Sequence, residues 1–79
     1  MQINILYFAS LRDKTGKSQE LINTKARTIN ELYDELSQRY EFNIDRNHLR
    51  VAKNEEYVPF ETPLTHLDTI VFIPPVAGG

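Results

Sequence analysis

The sequence contains no cysteine and no tryptophan, and its single methionine is Met1. The lack of cysteine excludes disulfides, metal sites with thiolate ligands and thiol nucleophiles. Lysine and arginine are scattered and the net charge is −2, so the pattern does not predict nucleic-acid binding. No run approaches the roughly 20 apolar residues of a membrane-spanning helix, and the first residues lack the basic segment of a signal peptide. We therefore expect a cytoplasmic protein whose partners include neither nucleic acid nor a membrane.

Glycine is scarce, and two of the three glycines stand together at the end of the sequence. The 79 residues are 41% hydrophobic and 25% charged, which is typical of one small globular domain. Pro74 and Pro75 cannot continue a strand, because neither has a backbone N–H. We predict a single domain over residues 1–79, with residues 74–79 as an extended C-terminal arm. Gly78 and Gly79 have no Cβ and would let a partner approach the arm closely.

Two strongly apolar segments, residues 2–9 and 69–73, are predicted to form the centre of a sheet and to lie parallel. In the first segment, alternation places Ile3, Ile5 and Tyr7 on one face and Leu6 and Phe8 on the other. Weaker strand patterns occur at residues 18–23, 49–53 and 57–58. The connection over residues 10–17 is polar, with Gly16 as its turn residue and at most a helical turn over residues 11–13.

One amphipathic helix is predicted to begin after Thr28, where Thr28 and Glu31 have the spacing of a capping box. An apolar stripe follows at helical spacing and fades near Glu41; its members are Ile29, Leu32, Tyr33, Leu36 and Tyr40. A right-handed crossover would lay this helix across one face of the sheet. The element order therefore predicts an α+β fold of the ubiquitin-like β-grasp type, a mixed sheet with one crossing helix.

The side chains offer little chemistry of their own. His48 and His66 are isolated, with no cysteine in the chain and no second histidine at ligand spacing, so structural roles are expected for both and no metal site is predicted. Glu55 and Glu56 are interpreted as a solvated turn rather than an acid–base pair. We expect no catalytic site within the domain and no cofactor bound by this chain.

The carboxylate of Gly79 is the remaining candidate for chemistry. ATP can convert a carboxylate into a mixed anhydride with AMP, and an incoming sulfur nucleophile would then leave a thiocarboxylate. Because the chain has no thiol, any sulfur that it carries covalently would have to be bound at this terminus.

Three segments resemble the small, sulfur-carrier subunit family of molybdopterin synthase: Tyr7-Phe8-Ala9 with Arg12, Val51 to Asn54, and above all Phe72 to Gly79. The resemblance implies a ubiquitin-like sulfur carrier whose C-terminal glycine, Gly79 here, is adenylated with ATP by an E1-like enzyme. A sulfurtransferase donor then supplies the sulfur of the thiocarboxylate. The arm would enter the large catalytic subunit, where cyclic pyranopterin monophosphate becomes molybdopterin. The family often has an Asp-Gly-Asp-like turn where this chain has Thr65 to Asp68, which puts the local turn geometry in question.

An outer patch of four apolar side chains is predicted on the sheet face opposite the helix: Leu6, Phe8, Val71 and Ile73. A monomer seldom leaves such a patch uncovered, so we predict that it binds a partner, together with the arm residues Pro74, Pro75, Val76 and Ala77; the alternative is that a loop folds over it. Gly78 and Gly79 are predicted to form the reactive end of the arm. Two alternatives remain open at this point. One is a thiamine-pathway type of sulfur carrier, which usually lacks the double proline, and the other is a ubiquitin-like interaction module without sulfur chemistry.

Overall fold

The fold was obtained as a computed structural model that describes residues 1–74. Five strands and two α-helices follow one another in the order β1 (Gln2–Tyr7), α1 (Ala9–Thr15), β2 (Gln19–Asn23), α2 (Ile29–Tyr40), β3 (Arg50–Lys53), β4 (Glu56–Tyr57) and β5 (Thr69–Ile73). A short 3₁₀ turn, Arg46–His48, precedes β3.

The strands form one sheet in the order β2-β1-β5-β3-β4, with β1 and β5 parallel and the other pairs antiparallel. The predicted parallel pairing of the first and last strands and the mixed sheet are confirmed, and β2 lies at an edge of the sheet. The strand β5 is bonded on both sides, to β1 and to β3, and it therefore joins two halves of the sheet.

The core lies between the sheet and α2. Ile5 lies directly beside Ile70 in the parallel ladder, and both side chains are fully buried. The apolar stripe of α2 faces them, with Ile29, Leu32 and Leu36 fully buried. The alternation of β1 and the helical spacing of α2 thus produce two complementary apolar surfaces, as the sequence predicted.

The ends of α2 are fixed by local contacts. The Thr28 hydroxyl accepts a hydrogen bond from the Glu31 N–H at 3.3 Å, and the Glu31 carboxylate accepts one from the Arg27 N–H at 3.1 Å. The helix ends at Glu41, which has a left-handed φ of 58°. The predicted N-cap and helix boundaries are therefore confirmed, but the Glu31 carboxylate binds the N–H of Arg27 rather than that of Thr28, the usual partner in a capping box.

The connection after β1 contains more structure than the sequence indicated. In place of a polar loop with a single turn, α1 runs for seven residues and ends at Gly16, whose φ of 72° suits a residue without a side chain. Its one buried residue is Leu11, which inserts into the core and holds the helix against the domain. The prediction of a loop was wrong because one buried side chain gives no helical periodicity.

The hairpin of β3 and β4 is joined by Asn54 and Glu55, which both have positive φ values, 50° and 74°. This pair of left-handed residues matches the twist of a two-residue hairpin. The strand bounds differ from the predicted ones by one or two residues: β1 ends at Tyr7 rather than Ala9, β2 begins at Gln19 rather than Ser18, β3 begins at Arg50 rather than Leu49, and β4 covers Glu56–Tyr57 rather than residues 57–58.

Candidate functional site

The four residues of the outer patch lie on the sheet face opposite α2. Leu6 and Val71 are direct partners in the parallel ladder, and both are half-buried. Phe8 follows β1 in an extended conformation and is 49% exposed, while Ile73 ends β5 and is half-buried. The backbone therefore brings the four together as a continuous apolar surface, whose role as an interface stays a prediction.

The apolar surface continues sideways beyond the outer patch. Val71 pairs with Ala52 of β3, and Ala52 pairs in turn with Tyr57 of β4. Arg50 pairs with Ile73 and has the same alternation as Ala52. Sequence analysis missed Arg50, Ala52 and Tyr57 as neighbours of the outer patch, because β3 and β4 are too short for their alternation to assign a face. Arg50 and Ala52 lie two residues apart and therefore share a face of the sheet, but the sequence does not indicate which face that is.

The base of the arm lies at the same end of the sheet as Phe8. In the parallel ladder Tyr7 is beside Phe72, so both β1 and β5 end there. Pro74 follows β5 and is buried, so the first residue of the predicted arm is still covered. The other arm residues with predicted roles lie outside the described residues: Pro75, Val76, Ala77, Gly78 and Gly79.

A buried polar cluster lies on the inner side of the sheet at this same end. The Glu20 carboxylate accepts hydrogen bonds from the Tyr7 hydroxyl at 2.8 Å, from the Tyr40 hydroxyl at 2.8 Å and from Lys17 Nζ at 2.9 Å. Its side chain is only 11% exposed. The cluster ties the end of α2 to β1 and to the edge strand β2.

The charges in this cluster follow from the hydrogen bonds. Burial raises the pKa of the Tyr7 hydroxyl, and its hydrogen bond to Glu20 raises it further, so Tyr7 remains a neutral donor. Burial also tends to raise the pKa of Glu20, but the hydrogen bonds from Lys17, Tyr7 and Tyr40 outweigh it and hold that pKa below its usual value. Glu20 therefore stays charged, and the arrangement stabilises the fold without offering a proton for catalysis.

The loop before β5 is organised by the buried carboxylate of Asp68. The Asp68 carboxylate accepts hydrogen bonds from the Thr65 N–H at 2.7 Å and from Asn54 Nδ2 at 2.9 Å, and Lys53 Nζ lies 3.3 Å from it. Burial tends to raise the pKa of Asp68, yet these donors lower it below its usual value. Leu67, with a φ of 70°, takes the left-handed position of the turn. The departure from the family pattern thus still yields a closed and hydrogen-bonded turn.

The histidines lie apart. His66 Nδ1 accepts a hydrogen bond from the Gln2 N–H at 3.0 Å, and His48 is exposed in the 3₁₀ turn. Within residues 1–74, no group of three or more His, Asp or Glu side chains is placed to hold a metal ion. In the same part of the chain, no helix is both long and apolar enough to cross a membrane.

Comparison with known proteins places this geometry in a family. The family model described as the ThiS family matches residues 5–79. The chain belongs to the ThiS family. Within that family, it is 31% identical over 80 residues to the "Molybdopterin synthase sulfur carrier subunit" of Escherichia coli, in a match that covers 98% of this chain and 99% of that protein. The resemblance to the molybdopterin synthase sulfur carriers is therefore confirmed.

Solved structures support the same assignment at the level of the fold. The crystal structure of SAMP1 from Haloferax volcanii matches with a TM-score of 0.83 at 20% identity, and each chain is covered completely. A complex titled as subunits 1 and 2 of the molybdopterin-converting factor from Helicobacter pylori contains a chain that matches with a TM-score of 0.70 at 25% identity, again over the full length of both. The predicted β-grasp fold is thus the fold of this ThiS-family chain.

Proposed function

We propose that this chain is the sulfur carrier of a molybdopterin synthase. In the proposed reaction, the carboxylate of Gly79 attacks the α-phosphate of ATP, pyrophosphate leaves, and an acyl-adenylate forms. The terminal sulfur of a persulfide on the sulfurtransferase then displaces AMP at the acyl carbon and forms an acyl disulfide. A thiol attacks the donor's sulfur in this disulfide, so that a thiocarboxylate on Gly79 and a new disulfide on the donor are left. The thiocarboxylate donates its sulfur to cyclic pyranopterin monophosphate on the way to molybdopterin.

One observation carries the proposal: the outer patch and the base of the arm occupy the same end of the sheet. Phe8 and Ile73 lie at that end, and β5 leads there directly into Pro74. A partner that covers the outer patch would therefore hold the domain with the arm next to its own surface. The full-length similarity to molybdopterin synthase sulfur carriers supports a role for the arm in sulfur transfer.

The proposed partners follow from the three steps. An E1-like enzyme would adenylate Gly79, a sulfurtransferase would supply the sulfur, and the large subunit of molybdopterin synthase would accept it. The Helicobacter pylori complex of subunits 1 and 2 supports the last of these, because one of its chains is similar to this one over its whole length. The outer patch is the surface that we propose for the large subunit and for the E1-like enzyme.

This chain's own part in the chemistry is to carry the acyl group of Gly79 to its partners. The carboxylates of Glu20 and Asp68 are held by hydrogen bonds to neighbouring groups of the fold. The acid–base steps therefore belong to the partners, and the chain contributes the acyl group of Gly79, the slender Gly78 behind it and the surface that positions both. ATP would be bound by the activating enzyme.

Reconstitution tests the proposal. The purified chain is incubated with an E1-like enzyme, ATP and a sulfur donor, and its intact mass is measured. The expected result is a mass increase equal to the difference between sulfur and oxygen, located at Gly79 by fragmentation. The product is then mixed with the large subunit and cyclic pyranopterin monophosphate, and molybdopterin is expected to form.

The same experiment separates the alternatives. A thiocarboxylate that forms but gives no molybdopterin with the large subunit would point to another sulfur-carrier pathway, such as the thiamine type. A chain that binds partners but never gains sulfur would be an interaction module, and the proposal would be wrong.

A further inference from the structure

Arg50 and Tyr57 form an exposed pair beside the outer patch. The guanidinium carbon of Arg50 lies 5.7 Å from the centroid of the Tyr57 ring. Tyr57 is 68% exposed, and Arg50 is also exposed. A cation–π contact between exposed side chains gains little energy for the fold, so stability alone does not account for the arrangement.

The register of the sheet connects this pair to the outer patch. Arg50 lies directly opposite Ile73, and Tyr57 lies opposite Ala52, which in turn is opposite Val71. A partner large enough to cover Ile73 and Val71 would therefore also cover Arg50 and Tyr57. Tyrosine and arginine are the residue types that most often dominate the energy of protein interfaces.

Arg50 differs from the paired cations of the domain in its electrostatic surroundings. Lys17, Arg39, Arg46 and Lys53 each lie within ion-pair distance of a carboxylate. Within residues 1–74, Arg50 has no such partner, as is also true of Arg12, Lys14, Lys25 and Arg27, but the guanidinium of Arg50 lies over the face of the Tyr57 ring. A guanidinium presents its N–H groups in a planar fork, which matches a carboxylate with two parallel hydrogen bonds.

A shallow groove lies next to the pair and gives the site an apolar component. Arg50 and Tyr57 line it together with Val58 and Phe60. Val58 and Phe60 are partly buried and pack against the core, so the floor of the groove is apolar and fixed. The site thus offers one cation and one apolar recess within reach of a single short segment.

We propose that Arg50 and Tyr57 determine which partner the outer patch accepts, by binding a surface segment of the partner protein that carries an aspartate or glutamate beside an apolar side chain. The carboxylate binds the guanidinium of Arg50, and the apolar side chain enters the groove between Tyr57 and Phe60. The inference rests on the proposed function, since the partner in question is the large subunit. The net charge of the whole chain is −2, so attraction to a carboxylate here is a local property of this site.

The test is a calorimetric titration of the purified large subunit from the same organism into the chain and its variants. Arg50→Glu reverses the charge at an exposed position and is expected to weaken binding by about tenfold or more at low salt. Arg50→Lys keeps the charge but loses the planar guanidinium, so an affinity between those of wild type and Arg50→Glu is expected. Tyr57→Ala is expected to weaken binding as well. Raising the salt concentration should narrow the difference between wild type and Arg50→Glu.

Lys25→Glu is the matched control, because it makes the same charge change at the other end of the sheet. Lys25 is exposed and follows Asn23, the partner of Gln2 at the beginning of β1. Its substitution is expected to change the dissociation constant by less than about twofold. In the Arg50→Glu background, replacing the aspartates and glutamates of the large subunit by lysine, one at a time, should restore affinity at one position.

Each contrary result has a definite meaning. If Arg50→Glu binds as tightly as wild type, or if no lysine substitution restores affinity, the carboxylate contact is refuted while the proposed function stands. If Lys25→Glu weakens binding of the large subunit as much as Arg50→Glu does, the loss of affinity comes from the net charge of the chain, and the proposed site is wrong. If Arg50→Glu binds the large subunit more tightly than wild type, Arg50 binds a carboxylate of this chain and the proposal is wrong. If the wild-type chain forms a dimer that Arg50→Glu dissociates, Arg50 binds a second copy of the chain and the proposal is also wrong. If wild type does not bind the large subunit at all, the proposed function fails together with the inference.

Discussion

Leu6 and Val71 lie side by side across the parallel ladder of β1 and β5, on the face that α2 does not cover. Their neighbours in sequence, Ile5 and Ile70, are fully buried on the other face. Successive residues of each strand therefore alternate between the core and the surface that we propose as an interface.

Aspartate substitutions on the two faces should affect different properties, partner binding on the outer face and folding on the inner face. Phe8→Asp and Ile73→Asp are expected to weaken binding to the large subunit by about 2 kcal/mol or more, as for central interface residues. Ile5→Asp should instead prevent folding or lower the melting temperature severely, because it buries a charge without a partner. Melting curves and pull-downs on the three variants test this. If Phe8→Asp unfolds the domain as badly as Ile5→Asp, the outer patch is part of the core and the interface lies elsewhere.

The last residue should be essential for sulfur loading and dispensable for folding. Deleting Gly79, or adding one residue after it, is expected to leave the melting temperature unchanged, because the arm follows the last strand of the sheet. Neither variant should gain sulfur when incubated with the E1-like enzyme, ATP and a sulfur donor. Intact-mass measurement provides the readout, and full loading of an extended, unprocessed chain would contradict the carrier function.

Gly78→Val should slow transfer without affecting the fold. A β-branched side chain widens the arm and restricts its backbone at the point that must enter the partner. The free energy of unfolding is expected to change by less than about 0.5 kcal/mol. Transfer rates are compared with those of Gly78→Ala, which adds only a methyl group and should be less affected. A wild-type rate for the valine variant would show that a slender arm is not required.

Asp68 should make the stability of the domain depend on pH in the acidic range. Its folded-state pKa lies below the ordinary value of 3.8, because the hydrogen bonds from Asn54, Thr65 and Lys53 outweigh burial. The stabilisation is therefore fully present above about pH 4 and is lost as the pH falls through the folded-state pKa. Glu20, whose pKa is also lowered, acts in the same direction.

Urea unfolding between neutral pH and pH 3 measures this effect. Asp68→Asn is expected to cost about 1–3 kcal/mol at neutral pH and to unfold with a weaker dependence on pH than wild type. Asp13→Asn, on the exposed surface of α1, controls for the loss of one negative charge. Parallel curves for wild type and Asp68→Asn would exclude Asp68 as the source of the dependence.

The hydroxyl of Tyr7 should contribute measurably to stability. Tyr7→Phe removes one donor from the buried Glu20 carboxylate and is expected to cost about 1.5–3 kcal/mol, the usual range for hydrogen bonds to charged groups. Tyr57→Phe removes a hydroxyl from an exposed side chain and should cost less than about 0.5 kcal/mol. Chemical denaturation of both variants gives the comparison, and equal losses would show that the cluster around Glu20 is not stabilising.

The sequence predicted those features that depend on regular spacing. The alternation of β1 and β5 located the core and the outer patch, and the capping box of Thr28 and Glu31 located the start of α2. The helix α1 was missed because Leu11 is its one buried residue. Periodicity therefore sufficed for long amphipathic elements and failed for short ones.

The two features of the site that sequence analysis missed depend on distances through space. Tyr7, Glu20 and Tyr40 come from three different elements, and nothing in their spacing indicates that their polar groups meet. Arg50 and Tyr57 belong to strands of four and two residues, and their contact depends on the hairpin register set by Asn54 and Glu55. Such contacts become visible only once the order of the strands in the sheet is known.

The central position of β5 has a consequence for how a force applied after Ile73 would reach the domain. Because β1 and β3 are both bonded to β5 and not to each other, the two halves of the sheet separate if β5 is withdrawn. Local opening near the base of the arm therefore cannot pass beyond Ile73 without global unfolding, and the amide protons in the ladders of β5 should be among the slowest in the chain to exchange with solvent. The strand that leads into Pro74 is thus held by a neighbour on each side, so a force applied by a partner after Ile73 would be resisted by two ladders of the sheet.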